Sequence, residues 1–240
     1  MPDLQAFIFD MDGVIIDNTP VQARAFQLLF RDLNVQADAT ELLRRLNGMP
    51  ATDILEQVFE HPVPEAERKK YADQREFLYR TLYWDERRPL PGLVDFLAAA
   101  RTAGFKLGLG SGSANDTLSY ILDYLDVRRF FDVVVGAGDV EEGKPHPETY
   151  AVVAEKLGVP PENCLVFEDA ILGEHAAYKA GMHCVAVTTN LAAADFQAPL
   201  LAIPDFRGLT PEHLRGLFTQ VGAAPKANDE VTKRQDLKPV

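Results

Sequence analysis

Phe7-Ile8-Phe9-Asp10-Met11-Asp12-Gly13-Val14 is the stretch on which the reading of this chain turns. The run from Ala6 to Phe9 is short and rich in aromatic and β-branched residues, the composition of a buried strand. Ionised aspartates carry a large desolvation penalty, so a buried strand cannot run on through two of them. The strand therefore ends at Phe9 and delivers Asp10 and Asp12 to a surface crevice. In open α/β sheets the carboxyl ends of the strands are where ligands bind. Gly13 permits the tight backbone departure that follows. Taken alone, a strand end closed by an Asp-Gly turn accounts for the stretch equally well, and the remainder of the chain separates the two readings.

Downstream, Thr19-Pro20 reads as a helix N-cap followed by proline at the first helical position. Val21, Ala25, Leu28 and Leu29, widened by Phe26, Phe30 and Leu33, form an amphipathic stripe ending near Asn34. Further helical patterns cover Thr40 to Leu46, Ala51 to Phe59 and Pro64 to Trp84, and Asn47-Gly48-Met49-Pro50 breaks the first two apart. Residues 17–88 thus contain helices and no convincing strand, which predicts a helical unit inserted after the first strand. Arg87-Arg88-Pro89-Leu90-Pro91-Gly92 is a stiff return segment. From there strand and helix alternate. Strands are expected at Phe105–Leu109, Phe131–Val135, Cys164–Phe167, Cys184–Val187 and Leu201–Ile203. Helices are expected at Leu93–Ala103, Asn115–Leu125, from Gly143-Lys144-Pro145-His146-Pro147 to Leu157, Gly173–Ala180 and Pro211–Phe218. Such alternation gives an α/β fold, a parallel sheet with helices on both faces. The expected division is a core of residues 1–16 and 89–221, a helical unit of 17–88, and a frayed tail of 222–240.

Length and composition agree with a folded globular protein. The chain has 240 residues, 47% hydrophobic and 25% charged. A net charge of −12 argues against nucleic-acid or anionic-membrane partners, which are held by clustered Lys and Arg. It leaves room for an anionic small substrate at a local positive site. Cys164 and Cys184 sit in apolar runs and read as buried, reduced thiols. No signal peptide or apolar run of membrane length is seen, so a cytoplasmic location is expected.

Four expected strand ends carry residues able to hold a metal or a phosphate. The first has Asp10 and Asp12; the second has Ser111 between glycines that let amides approach an anion. Lys144 follows the third, and Glu168-Asp169 close the fourth. Carboxylates of Asp10, Asp12 and Asp169 suit a hard divalent cation, foremost magnesium. Lys144 and the Ser111 hydroxyl would hold phosphate oxygens. Each residue alone has an ordinary explanation: a turn serine, a solvated loop lysine, a helix-start cap. Their common placement after strands is what a chance arrangement does not supply.

These residues resemble the motifs of the haloacid dehalogenase superfamily of phosphotransferases. Asp10-Met11-Asp12-Gly13-Val14 is similar to its first motif, Ser111 to its second, Lys144 in Gly-Lys-Pro-His-Pro to its third, and Phe167-Glu168-Asp169-Ala170-x-x-Gly173 to its fourth. The match runs from residue 4 to about 220. The helical insertion after the first motif resembles the cap of the subfamily that includes β-phosphoglucomutase and many small phosphatases. The resemblance implies a Rossmann-like core with Asp10 as nucleophile and Asp12 as general acid and base. It implies a metal site of Asp10, the Asp12 carbonyl and Asp169, with Glu168 in contact with the metal or one step behind it. Phosphate would be bound by Ser111, Lys144 and amides of Met11, Asp12 and Gly112. Asp12 argues against a true dehalogenase, since breaking a carbon–halogen bond needs no proton for the leaving group.

Asn47-Gly48-Met49-Pro50-Ala51 matches the subfamily's specificity loop, which makes Asn47, Gly48 and Ala51 the expected substrate-sensing positions. β-Phosphoglucomutase carries Lys and Arg around this glycine, and this chain does not; it also has Gln22 where the mutase has a histidine. Arg24, Arg44, Arg45 and Arg75 are expected to be solvated surface charges. The sequence therefore predicts a magnesium-dependent phosphohydrolase of a small phosphorylated metabolite, with sugar phosphates the first class to consider. The alternatives are a hexose phosphate mutase and an idle binding module on the same fold. His146 is expected to serve structure or line the substrate site. Oligomeric state is not legible.

Overall fold

Strand and helix alternate as the pattern predicts, with β1 (Ala6–Phe9), β2 (Lys106–Gly110), β3 (Val133–Val135), β4 (Cys164–Glu168), β5 (His183–Val187) and β6 (Leu201–Ile203). The computed structural model describes residues 3–59, 62–84 and 87–228. The strands pair in parallel in the order β3-β2-β1-β4-β5-β6, a Rossmann-like arrangement. β1 is central. Phe9 stands opposite Leu109 on one side and Phe167 on the other, so the residues after these three emerge along one edge.

Both faces are covered, and the period-2 alternation of the strands decides which residue faces which layer. Phe7, Phe9, Leu107, Leu109, Leu165 and Phe167 pack with α5 (Leu93–Thr102), α6 (Asn115–Tyr124) and α9 (Pro211–Phe218). Phe9 stacks on Phe167 at 4.7 Å between ring centroids. Ala6, Ile8, Cys164, Val166 and Cys184 pack on the other face with α7 (Glu148–Leu157) and α8 (Ile171–Lys179). Gly108 faces α7, and a Cβ there would overlap Val153, so the missing side chain lets α7 lie close to the sheet. That approach brings Tyr150 towards the carboxyl edge. Both cysteines are buried and free, as expected.

The insertion consists of α1 (Thr19–Asp32), α2 (Ala39–Leu46), α3 (Ala51–Glu56) and α4 (Glu65–Leu82). Phe26, Leu29, Phe30, Leu43, Leu46, Ile54 and Leu55 give it an apolar core of its own. Each such side chain, fully buried, contributes about 1.5–3 kcal/mol. α2 starts where it does because the Asp38 carboxylate caps the amides of Thr40 and Glu41 at 2.8 and 3.1 Å. The insertion touches α6 through α4. The Tyr120 hydroxyl donates to the Arg80 carbonyl at 3.1 Å, and Thr117 bonds to Glu76.

Several local expectations are corrected. The N-cap position of α1 is Asn18, not Thr19, and its side chain makes no cap bond because Asp12 and Tyr79 engage it. α3 stops at Glu56 rather than Phe59. Arg24 and Arg44 are exposed as expected, but Arg75 is buried. Its guanidinium lies 4.7 Å from the centre of the Phe26 ring, bonds to Gln22 and pairs with Glu76 at 2.8 Å. The segment expected to fray keeps contacts as far as Asn228: the Gln197 side chain donates to the Lys226 carbonyl at 2.7 Å and accepts from the Asn228 amide at 2.8 Å. Residues 229–240 of that tail lie outside the described residues. Among the described residues no helix is long and apolar enough to cross a membrane.

Candidate active site

At the carboxyl edge of β1, Asp10 is 2% exposed, and its amide donates to the Phe167 carbonyl at 3.0 Å. The neighbouring strands thus fix its backbone. Lys144, expected from sequence alone to be as readily a solvated loop lysine, is 1% exposed. Its Nζ lies 2.6 Å from both Asp10 Oδ1 and Glu168 Oε1, and 4.6 Å from the centre of the Tyr150 ring. Glu168 Oε1 also accepts from the Tyr150 hydroxyl at 2.6 Å. Its Oε2 accepts from the amides of Asp169 and Ala170 at 3.0 and 3.1 Å. Four donors fill the lone-pair directions of that carboxylate. Gly173 lies against it, and a Cβ there would overlap the Glu168 carboxylate.

Asp169 is held differently. Its Oδ2 accepts from Asn190, in the segment after β5, and from Asn47 of the insertion at 3.0 Å. Its Oδ1 is buried without a hydrogen-bond partner. Gly13 has φ +75°, where a Cβ would overlap Asp169, so glycine answers both the backbone and the space. Asp12 turns away from this group: its Oδ1 accepts from Asn18 Nδ2 at 2.5 Å and its Oδ2 from the Ser113 hydroxyl at 2.8 Å. Ser111 is buried, and its hydroxyl oxygen accepts from the Ser113 amide at 3.1 Å. The Met11 side chain belongs to the apolar core, which leaves only its main chain to face a ligand. The His146 side chain is 43% exposed and sits between Glu142 and Glu148 at 3.7 and 3.8 Å.

The insertion closes over this edge. A Cβ on Gly112 would lie 2.6 Å from the Gly48 carbonyl oxygen, and one on Gly143 would lie 2.5 Å from Pro50. Asn47 and Gly48, named from sequence as substrate-sensing, are therefore at the site, with the Asn47 amide engaged by Asp169.

Charge is unbalanced here. Asp10, Glu168 and Asp169 each offer an oxygen within 4.8 Å of the others, against one ammonium. Burial pushes the Asp10 carboxyl up to about 8; Lys144 offsets part of this, and Glu168 and Asp12 add to it. Burial, then Glu168 and Asp10, push Asp169 up. Burial raises Asp12, opposed by its bonds from Asn18 and Ser113. Burial alone would lower the Lys144 ammonium, but Asp10 and Glu168 outweigh it and raise its pKa. The surplus carboxylates and the orphaned Asp169 oxygen fit a hard cation. Asp10 and Asp169 have oxygens to give it, whereas Glu168 is already saturated by donors.

Residues 7–187 match the family model described as haloacid dehalogenase-like hydrolase. The chain belongs to this family. Among relatives of this haloacid dehalogenase-like hydrolase is the fructose-1-phosphate phosphatase YqaB of Escherichia coli K12, 34% identical over 180 residues, covering 75% of this chain and 94% of that one. Another is a phosphorylated carbohydrates phosphatase of Thermotoga maritima, 30% identical over 183 residues, covering 75% and 82%. In structure the hydrolase resembles a β-phosphoglucomutase from Clostridium difficile, with a TM-score of 0.82 and 28% identity over 90% of this chain and 98% of the other.

Sequence reasoning singled out Asp10, Asp12, Ser111, Lys144, Glu168 and Asp169, and the fold brings them to one edge. It did not find Tyr150, Asn190, Asn18, Ser113 or Tyr79 as members of the site. Ser113 alone carried a signal, standing in the Gly110-Ser111-Gly112-Ser113 turn beside a recognised position. Tyr150 stands among the buried apolar residues of α7, with no motif around it.

Proposed function

We propose that this chain is a magnesium-dependent phosphatase of a small sugar phosphate, working through a phosphoryl group carried on Asp10. The buried Lys144 shared by Asp10 and Glu168, beside the orphaned Asp169 oxygen, is the observation that carries this reading. Asp10 attacks phosphorus while Asp12 protonates the departing sugar oxygen. Water then attacks the phosphoaspartate, Asp12 takes its proton, and Asp10 is freed with inorganic phosphate. Lys144, the Ser111 hydroxyl and the amides of Met11 and Gly112 hold the phosphoryl oxygens as charge develops. Magnesium held by Asp10, the Asp12 carbonyl and Asp169 would neutralise phosphate charge and lower the Asp10 pKa, keeping the nucleophile ionised. Glu168 orients Lys144. The relatives named for sugar phosphates support the substrate class. The test is phosphate release from a panel of sugar phosphates, nucleotides and small acid phosphates, with magnesium and with chelator. Silence across the panel in magnesium would remove the proposal.

The likeness to a β-phosphoglucomutase keeps a hexose phosphate mutase as a second reading. Against it, residues 47–51 contain no cation to hold a second phosphate, and Asn47 is engaged by Asp169. Interconversion of two hexose phosphates, activated by a bisphosphate, would establish it.

The insertion serves as a cap that excludes water from the phosphoryl group. Gly112→Ala forces a methyl against the Gly48 carbonyl and props the cap open. Overpacking of this kind costs about 1–3 kcal/mol, which corresponds to about 5- to 150-fold in kcat/KM. Retained Tm with reduced kcat/KM is the expected pair of readings; unchanged kinetics would separate cap closure from turnover.

The metal site predicts a pH signature. The Asp10 carboxyl ordinarily titrates near 3.8 and here near 8. Between those values the folded chain holds a proton that the unfolded chain has lost, so the stability from this group falls as pH rises towards 8. In chelator, Tm should drop between pH 5 and pH 8.5, and magnesium should restore it. Asp169→Asn should blunt the restoration. A Tm indifferent to magnesium at pH 8.5 would count against the cation site.

A further inference from the structure

We propose that Ser113 and the Asn18–Tyr79 pair are positioning residues for the Asp12 carboxyl, and that Tyr79 makes its placement depend on the helical insertion. This rests on the phosphatase reading above. Each oxygen of Asp12 has a donor from a different part of the fold: the Ser113 hydroxyl after β2 at 2.8 Å, and Asn18 Nδ2 before α1 at 2.5 Å. Neither donor is free to wander. The Ser113 amide donates to Ser111 Oγ at 3.1 Å, and its carbonyl accepts from the Ala137 amide at 3.0 Å. The serine is thus pinned between the ends of β2 and β3. Asn18 is fully buried, and the second hydrogen of its Nδ2 goes to the Tyr79 hydroxyl at 2.7 Å. Tyr79 is itself fully buried on α4 and stacks on Tyr83 at 5.5 Å between centroids. An amide with both hydrogens engaged cannot rotate without losing two bonds. The carboxyl is therefore held in one plane by the turn after β2, by the segment entering α1 and, through Tyr79, by α4.

Such a plane matters for one event. When the Asp10–phosphorus bond forms, the bond from phosphorus to the sugar oxygen breaks with its electron pair on that oxygen, which takes the Asp12 proton. A sugar alkoxide is a poor leaving group and needs the proton; a nitrophenolate leaves without it. Misplacing Asp12 should therefore injure alkyl phosphates selectively. General acid catalysis is worth about 10²- to 10⁴-fold, and a displaced acid forfeits part of that.

The experiment compares kcat/KM for a hydrolysed sugar phosphate with kcat/KM for p-nitrophenyl phosphate, both in magnesium. This ratio reports the step in which the leaving group departs. Ser113→Ala should lower the sugar phosphate value by about 10- to 100-fold while the nitrophenyl value changes by less than about threefold. Ser113→Thr, which keeps the hydroxyl, should restore most of the ratio. Tyr79→Phe, which frees the Asn18 amide to turn, should lower the ratio in the same direction by about 3- to 10-fold. Parallel losses on both substrates, or an unchanged ratio in both Ser113→Ala and Tyr79→Phe, would overturn the assignment and leave the phosphatase reading standing. Wild-type protein that hydrolyses neither compound would instead remove that reading and the assignment with it.

Discussion

Asp10→Asn is expected to abolish phosphate release, by roughly 10⁴-fold or more on the precedent of other nucleophile deletions, while the fold persists. The asparagine fits the same space, but its amide oxygen is a far weaker nucleophile than a carboxylate. Stability should survive because the Asp10 carboxyl is buried and held largely protonated at neutral pH without metal, pushed up to about 8. A neutral replacement is then close to what the metal-free fold already contains. Lys144 keeps Glu168 as its partner at 2.6 Å. The paired measurement is turnover with magnesium and Tm in chelator. Residual turnover within about tenfold of wild type would remove Asp10 from the nucleophile's role.

Lys144→Ala should have the largest effect on stability. The ammonium is 1% exposed and is shared by two carboxylates. Removing one partner of a buried ion pair costs about 3–5 kcal/mol, because the remaining charge is left without water or counterion. Here Glu168 keeps only its neutral donors, Tyr150 and two amides, and Asp10 loses the ammonium beside its carboxyl. Without the ammonium that offsets its burial, Asp10 holds its proton to higher pH, so the deficit should be smaller at pH 5 than at pH 8. Urea midpoints at both pH values measure this. Adding Glu168→Gln to Lys144→Ala should recover part of the loss, since one orphaned charge disappears. A single-variant loss below about 1 kcal/mol, the level of an exposed pair, would mean that water reaches the ammonium.

The sheet and its edge were legible because they rest on local pattern: apolar runs that stop at Asp10, Ser111 and Glu168, each followed by turn residues. The helical insertion was legible from a long absence of strand pattern. What escaped the sequence depends on partners far along the chain. Arg75 stands on a polar-looking helix and reads as solvated, yet Phe26 and Gln22 of α1 meet it in the folded state. Tyr150 is one aromatic among the apolar residues of α7, and only the close packing over Gly108 carries its hydroxyl to Glu168. Asn190 follows β5 with no motif around it. Asn18 stands just before the Thr19-Pro20 pair that reads as the helix start, and its side chain is drawn to Asp12 and Tyr79, which is why the cap bond is absent. Local chemistry announces strands, turns and charges; it cannot announce which of several polar side chains a distant loop will meet.

The central position of β1 bears on how the chain can fold during its own synthesis. Ala6–Phe9 leaves the ribosome first among the strands, but both of its neighbours are made much later, β2 beginning at Lys106 and β4 at Cys164. At translation rates of about 5–20 residues per second, this apolar segment spends several seconds without a strand to pair with. The residues made in that interval are the helical insertion, whose core draws on helices close together in the chain. The nascent protein can thus bury those side chains early, while its most central strand stays open to chaperones or to mispairing, on one side until β2 is made and on the other until β4.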